Sequence, residues 1–102
     1  MKKLLLASAA CALVASAGAA QEVKLGILVG FTGPIESLAE PMAKGAELAI
    51  KEVSDSGTLL DGATVTPVRA DTGCIDNGLA TSNAERLIAD GVAGIIGGDC
   101  SG

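Results

Sequence analysis

The chain has 102 residues, with 7 basic and 12 acidic side chains, a formal charge of −5, no histidine and a single aromatic residue, Phe31. That acidic balance argues against nucleic acid and anionic membrane surfaces as partners. The lack of histidine removes the commonest general base and the commonest metal ligand, so no metal site is expected, and no cofactor is expected either.

The first element in chain order is a leader. Lys2 and Lys3 precede a short apolar run, Leu4 to Val14, and then the small residues Ala15 to Ala20. Positive start, short apolar core and small-residue cleavage site are the three parts of a secretory signal. Residues 1–20 are therefore expected to be removed near Ala19 or Ala20. The run is shorter than the roughly 20 apolar residues a spanning helix needs. Ser8-Ala9-Ala10-Cys11 leaves a lipid-anchored alternative open. Without Lys2 and Lys3, the exported part, residues 21–102, carries a charge of about −7. It keeps two cysteines, Cys74 and Cys100, and an even count in an oxidising compartment reads as one disulfide. No C-x-x-C motif is present, which argues against thioredoxin-type redox chemistry.

Val23 to Val29 reads as a strand, apolar and without polar alternation after Lys24, as expected of burial on both faces of a parallel sheet. Gly30-Phe31-Thr32-Gly33-Pro34 is a turn cluster. The following helix is expected to start with a Ser37/Glu40 capping box and Pro41 in its first turn. Met42, Ala46, Ala49, Ile50 and Val53 make its apolar face, and Glu47 and Lys51 an i, i+4 ion pair. The helix should stop between Ser54 and Gly57, and Leu59 to Gly62 should turn. Ala63 to Ala70 is the second strand, and Pro67 means that it is either an edge strand or carries a bulge. After a polar turn, Gly78 to Ala89 forms a second helix, capped by Asp76 or Asn77, with Leu79, Ala84, Leu87 and Ile88 facing inward. Val92 to Gly97 is the third strand, with Ile95 and Ile96 buried.

The order β-α-β-α-β implies an α/β fold, a doubly wound parallel sheet of order 2-1-3 with right-handed crossovers. The carboxyl ends of its first and third strands then flank the topological switch point, where ligands bind in such sheets. The Thr32-Gly33 turn and Ser101 belong to the two loops at that point. The Gly30–Gly33 turn lacks both G-x-G-x-x-G and a following Lys-Ser/Thr, so nucleotide chemistry is unsupported. It is either a plain turn of small residues or a ligand-binding loop. Ser101 has neither a histidine partner nor a G-x-S-x-G setting, so it is expected to hydrogen-bond rather than attack. Asp71 and Asp99, at strand ends, are expected to be solvated loop carboxylates. The abrupt end after the third strand suggests a partial lobe, whose Val92–Gly97 edge would be unpaired and prone to aggregation.

Gly33-Pro34-Ile35, Gly45-Ala46 through Ala49-Ile50-Lys51 and the strand ending at Asp71 form an ordered set. Cys74, Leu87-Ile88-Ala89-Asp90-Gly91 and Ile95-Ile96-Gly97 to Cys100-Ser101 continue it. The set resembles the leucine/isoleucine/valine-binding type of periplasmic substrate-binding protein, which serves ABC importers. The resemblance spans the exported part and corresponds to about the first quarter of such a protein. It implies a Cys74–Cys100 disulfide and a ligand carboxylate held by Ser101. It also implies a ligand-packing side chain at Leu38, where the family often has an aromatic; the Thr32-Gly33 turn is a ligand-contact candidate from the sheet topology alone. It further implies a periplasmic protein, monomeric at full length, with two lobes that close on a small solute and then dock on a membrane permease. The expected solute is an amino acid of branched-chain type, and residues 21–102 alone should have no useful affinity for it. A ligand-sensing receptor domain and a doubly wound secreted enzyme using Ser101 are the competing functions.

Overall fold

The computed structural model describes residues 21–101. The leader, its cleavage site and the lipid-anchor alternative at Cys11 lie outside the described residues. The elements alternate as the sequence pattern demands. Strand β1 runs Glu22–Val29, helix α1 Glu36–Ser56, β2 Thr64–Asp71, α2 Asn77–Ala89 and β3 Gly94–Gly97, with a short turn of helix at Leu59–Asp61. The sheet has the order β2-β1-β3 and both pairings are parallel. β1 pairs with β2 along its whole length, Glu22 opposite Thr64 and Val29 opposite Asp71. It pairs with β3 only from Leu25 to Leu28.

Alternation along the central strand sends its side chains to two cores. Ile27 and Val29 pack with Val65 against Ala39, Ala43 and Ile50 of α1. On the other face, Gly26 leaves room for Leu87 of α2, whose side chain would lie 2.8 Å from a Cβ placed there. Ile27 and Leu87 are the largest fully buried side chains. Burial of each is worth about 1.5–3 kcal/mol relative to exposure. Pro67 stands opposite Leu25 in β2, which has a neighbour on one side only, so its missing N–H costs one ladder bond at most.

Four expectations are corrected. The first concerns the start of α1. No serine caps it; Ile35 holds the cap position without a side-chain bond. Glu36 N donates to Gly33 O at 3.3 Å, so the Gly-Pro turn runs straight into the helix. Pro41 therefore falls in the second turn, where its ring nitrogen gives no hydrogen bond to the Ser37 carbonyl.

The second concerns which faces are buried. The packed stripe of α1 is Ala39, Ala43, Ala46 and Ile50, while Met42 and Val53 are about half exposed. Small side chains let the helix approach the sheet, and the larger ones fall to its flanks. In α2, Leu87 is buried but Ile88 is 67% exposed.

The third concerns β3, which is only four residues long, with Ile95 39% and Ile96 43% exposed. A strand with one neighbour and no helix over its outer half cannot bury both faces. The fourth concerns ion pairs. Glu47 binds Arg69 rather than Lys51, and Lys51 pairs with Asp55. The carboxylates of Glu40 and Glu47 both reach Arg69 across the α1–β2 contact, a planar fork that suits two acceptors at once.

Candidate functional site

Three loops leave the carboxyl ends of the three strands, and the structure ties each to its neighbours. The β1–α1 loop is held from both sides by carboxylates. From β2, Asp71 Oδ2 accepts the Thr32 hydroxyl at 2.5 Å, and Oδ1 accepts Thr32 N at 3.1 Å and Gly73 N at 2.9 Å. From the segment after β3, Asp99 Oδ2 accepts Gly30 N at 2.8 Å. The other Asp99 oxygen is buried without a partner among the described residues. Neither acid is the solvated loop carboxylate expected. Each replaces ladder hydrogen bonds that the chain loses as it leaves the sheet, and backbone N–H groups buried there need such acceptors.

Close backbone approach reinforces the ties. Gly33 has φ +92° and a Cβ there would lie 2.6 Å from Gly73 O, so the β1–α1 and β2–α2 loops touch through their backbones. At Gly97, the last residue of β3 and the ladder partner of Leu28, φ is +144° and a Cβ would fall 1.9 Å from Leu28 O. Cys74 and Cys100 form a disulfide with a Cα–Cα distance of 5.3 Å, well within the normal range. The bridge joins the loops of the two outer strands across the end of the central one. Phe31, next to Thr32, lies under the Arg69 guanidinium at 5.2 Å from the ring centroid.

Partial burial pushes the Asp71 carboxyl up, but the Thr32 hydroxyl and the N–H groups of Gly73, Thr32 and Phe31 outweigh it. The net shift is below the ordinary aspartate value. Glu40 and Glu47 are also lowered, chiefly by their hydrogen bonds to Arg69, whose own pKa rises in return. Among the described residues no group of three or more metal-ligating side chains occurs.

Thr32, Gly33, Cys74, Cys100 and Ser101 therefore belong to one edge of the sheet, as its topology predicts. Ser101 is exposed there. Leu38 sits in the first turn of α1, 57% exposed. Thr32 and Gly33 have structural duties, through Asp71 and Gly73. Sequence reasoning missed the carboxylate grip and the Arg69–Phe31 stack. Asp71-Thr72-Gly73 carried a signal for the first, since an aspartate two residues before glycine is an Asx-turn pattern. The partners of Asp99 and Arg69 lie 69 and 38 residues away in the chain, and no local pattern specifies them.

Comparison with known proteins bears on this arrangement. Residues 22–102 match the family model described as periplasmic binding protein. The Leu/Ile/Val-binding protein homolog 7 of Brucella melitensis is 38% identical over 104 residues, covering 100% of this chain and 25% of that protein. The protein of the same name from Brucella suis gives the same figures. The Leu/Ile/Val-binding protein BraC3 of Rhizobium johnstonii is 25% identical over 98% of this chain and 27% of its own length. The chain thus spans about a quarter of the length of the curated relatives it matches. No solved structure matches it. With its order 2-1-3 parallel sheet and a family match running from the first strand onward, the chain belongs to the periplasmic binding protein family.

Proposed function

We propose that residues 21–102 supply the ligand-facing part of the first lobe of a periplasmic solute receptor for an ABC importer, and that residues 1–20 are its cleavable export signal. The solute is a small amino acid, of the branched-chain type named for the relatives. The role is capture and delivery to a membrane permease, without catalysis. One observation carries the reading: the three loops at the switch point are cross-tied by a disulfide, two carboxylates and a glycine contact, beside an exposed serine. A rim preorganised in this way holds donors in place before the ligand arrives, which cuts the ordering cost of binding. Ser101 is assigned to the ligand's carboxylate, Leu38 to its side chain, and the Thr32-Gly33 turn to the rim.

The test is calorimetric titration of the protein, expressed at the length of its relatives, against the twenty amino acids. Binding of one or more aliphatic amino acids, weakened at least about tenfold by Ser101→Ala, is expected from loss of a charge-assisted hydrogen bond. Absence of binding to any amino acid overturns the reading.

A further inference from the structure

The hydroxyl of Thr32 has one hydrogen, and the structure shows where it goes. Its Oγ1 donates to Asp71 Oδ2 at 2.5 Å, and the same carboxylate takes the backbone N–H of Thr32 and of Gly73. An ionised carboxylate accepts only, so the hydrogen in the Thr32–Asp71 contact must be the threonine's. Asp71 stays ionised at neutral pH, its carboxyl being held below the ordinary aspartate value despite partial burial, which acts the other way. Its hydrogen-bonded partners are all neutral, and among the described residues no cationic side chain forms an ion pair with it. The only donor hydrogen of the Thr32 side chain is thus committed inward, while the residue itself is exposed. What remains on Oγ1 for a bound molecule is lone pairs, beside a negative charge.

We propose that Thr32 is a specificity-determining residue that accepts a hydrogen bond from a ligand's donor group, an ammonium in the first instance, and that Asp71 is the positioning residue that makes it an obligate acceptor. This rests on the small-solute reading above and deepens it. The rim then has a built-in polarity. Ser101, whose hydroxyl bonds to nothing else among the described residues, is free to donate to a carboxylate, while Thr32 can only receive. A zwitterion fits that polarity in one orientation. A carboxylic acid lacking the amine leaves Thr32 facing a group that cannot donate, and an unmatched polar group in a closed site discriminates strongly.

The experiment measures, in the protein at the length of its relatives, the ratio of affinities for leucine and for its des-amino analogue, 4-methylpentanoic acid. Thr32→Val keeps the β-branched shape and removes the hydroxyl. It is expected to reduce the preference for the amine at least about tenfold, the usual worth of a hydrogen bond to a charged group. Thr32→Ser should restore it. Asp71→Asn can donate its amide hydrogens to Oγ1, which frees the hydroxyl to point outward, and should also lower the ratio. A protein that binds leucine but keeps its ratio in both Thr32→Val and Asp71→Asn, with far-ultraviolet circular dichroism unchanged, overturns the proposal and leaves the solute reading standing. If the wild-type protein binds no amino acid, the solute reading fails and the proposal falls with it. Loss of leucine and analogue affinity in equal measure would make Thr32 a purely structural residue and also overturns it.

Discussion

The two ends of the sheet-and-helix assembly differ sharply in how they are finished. At the carboxyl edge of the strands, every loop is tied to another by a disulfide, by a carboxylate or by backbone contact. Along the flank between α1 and β3, nothing comparable closes the structure among the described residues. There Val23, Leu25, Ala49, Val53, Leu59 and Ile96 border an open apolar groove of about 390 Å³. Both regions are built from ordinary residues. The difference is that the rim is held by directional, specific contacts, whereas the flank relies on surface area that the described residues leave partly exposed. The rim is cross-tied at several points, and the flank is an open apolar face.

The largest effect that would test this contrast is loss of the bridge. Replacing Cys74 and Cys100 together by serine removes a cross-link spanning 26 residues, and loop-closure entropy predicts a loss of about 3.5 kcal/mol. Denaturant unfolding of the oxidised and variant proteins reads that loss directly. A loss below about 1 kcal/mol would show that the carboxylates and glycine contact hold the rim without the bridge.

Next comes the core itself. Leu87→Ala should cost about 2–5 kcal/mol, since Leu87 is fully buried against the central strand. Ile96→Ala, on the open flank, should change stability by less than about 1 kcal/mol in residues 21–101 expressed alone. The same Ile96 substitution costing as much as Leu87→Ala in the longer protein would show that later residues cover the groove.

Gly33→Ala tests the backbone contact. Positive φ and the Gly73 carbonyl in the way should together cost about 1–3 kcal/mol, measured by thermal melting. The smallest effect concerns acid. Asp71 has a folded pKa below its unfolded value, so its contribution is fully present above about pH 4 and fades as pH falls through the folded value. Asp71→Asn should therefore be less stable than wild type at about pH 6, with the gap narrowing toward about pH 3. A gap independent of pH would mean that the carboxylate's charge plays no part in holding Thr32.

Much of the architecture was legible because it rests on short-range pattern. The apolar run at Val23–Val29, the Asp76 cap and the Pro67 edge each depend on a few neighbouring residues, and all three are found as expected. The errors cluster where burial depends on what lies opposite. Val53 and Ile88 carry the same helical signal as Ile50 and Leu87, and Ile95 and Ile96 lie in a continuous apolar run; neither pattern says which face meets a partner. The site shows the same division. Topology sufficed to bring Thr32, Gly33 and Ser101 to one edge. The duties of Asp71, Asp99 and Arg69 arise from contacts across many residues, and a single sequence read locally assigns such acids to solvent by default.

The position of β1 has a consequence for how the molecule comes into being. The strand made first is the one in the middle, and both of its partners come later, 42 residues on at Thr64 and 69 on at Gly94, counted from their partners Glu22 and Leu25. During synthesis its apolar residues must wait without a sheet to join, because a parallel neighbour cannot form until a whole helix has followed. Contacts this distant in the chain make for slow assembly. The nascent polypeptide therefore cannot complete this sheet until nearly all of these residues have been made.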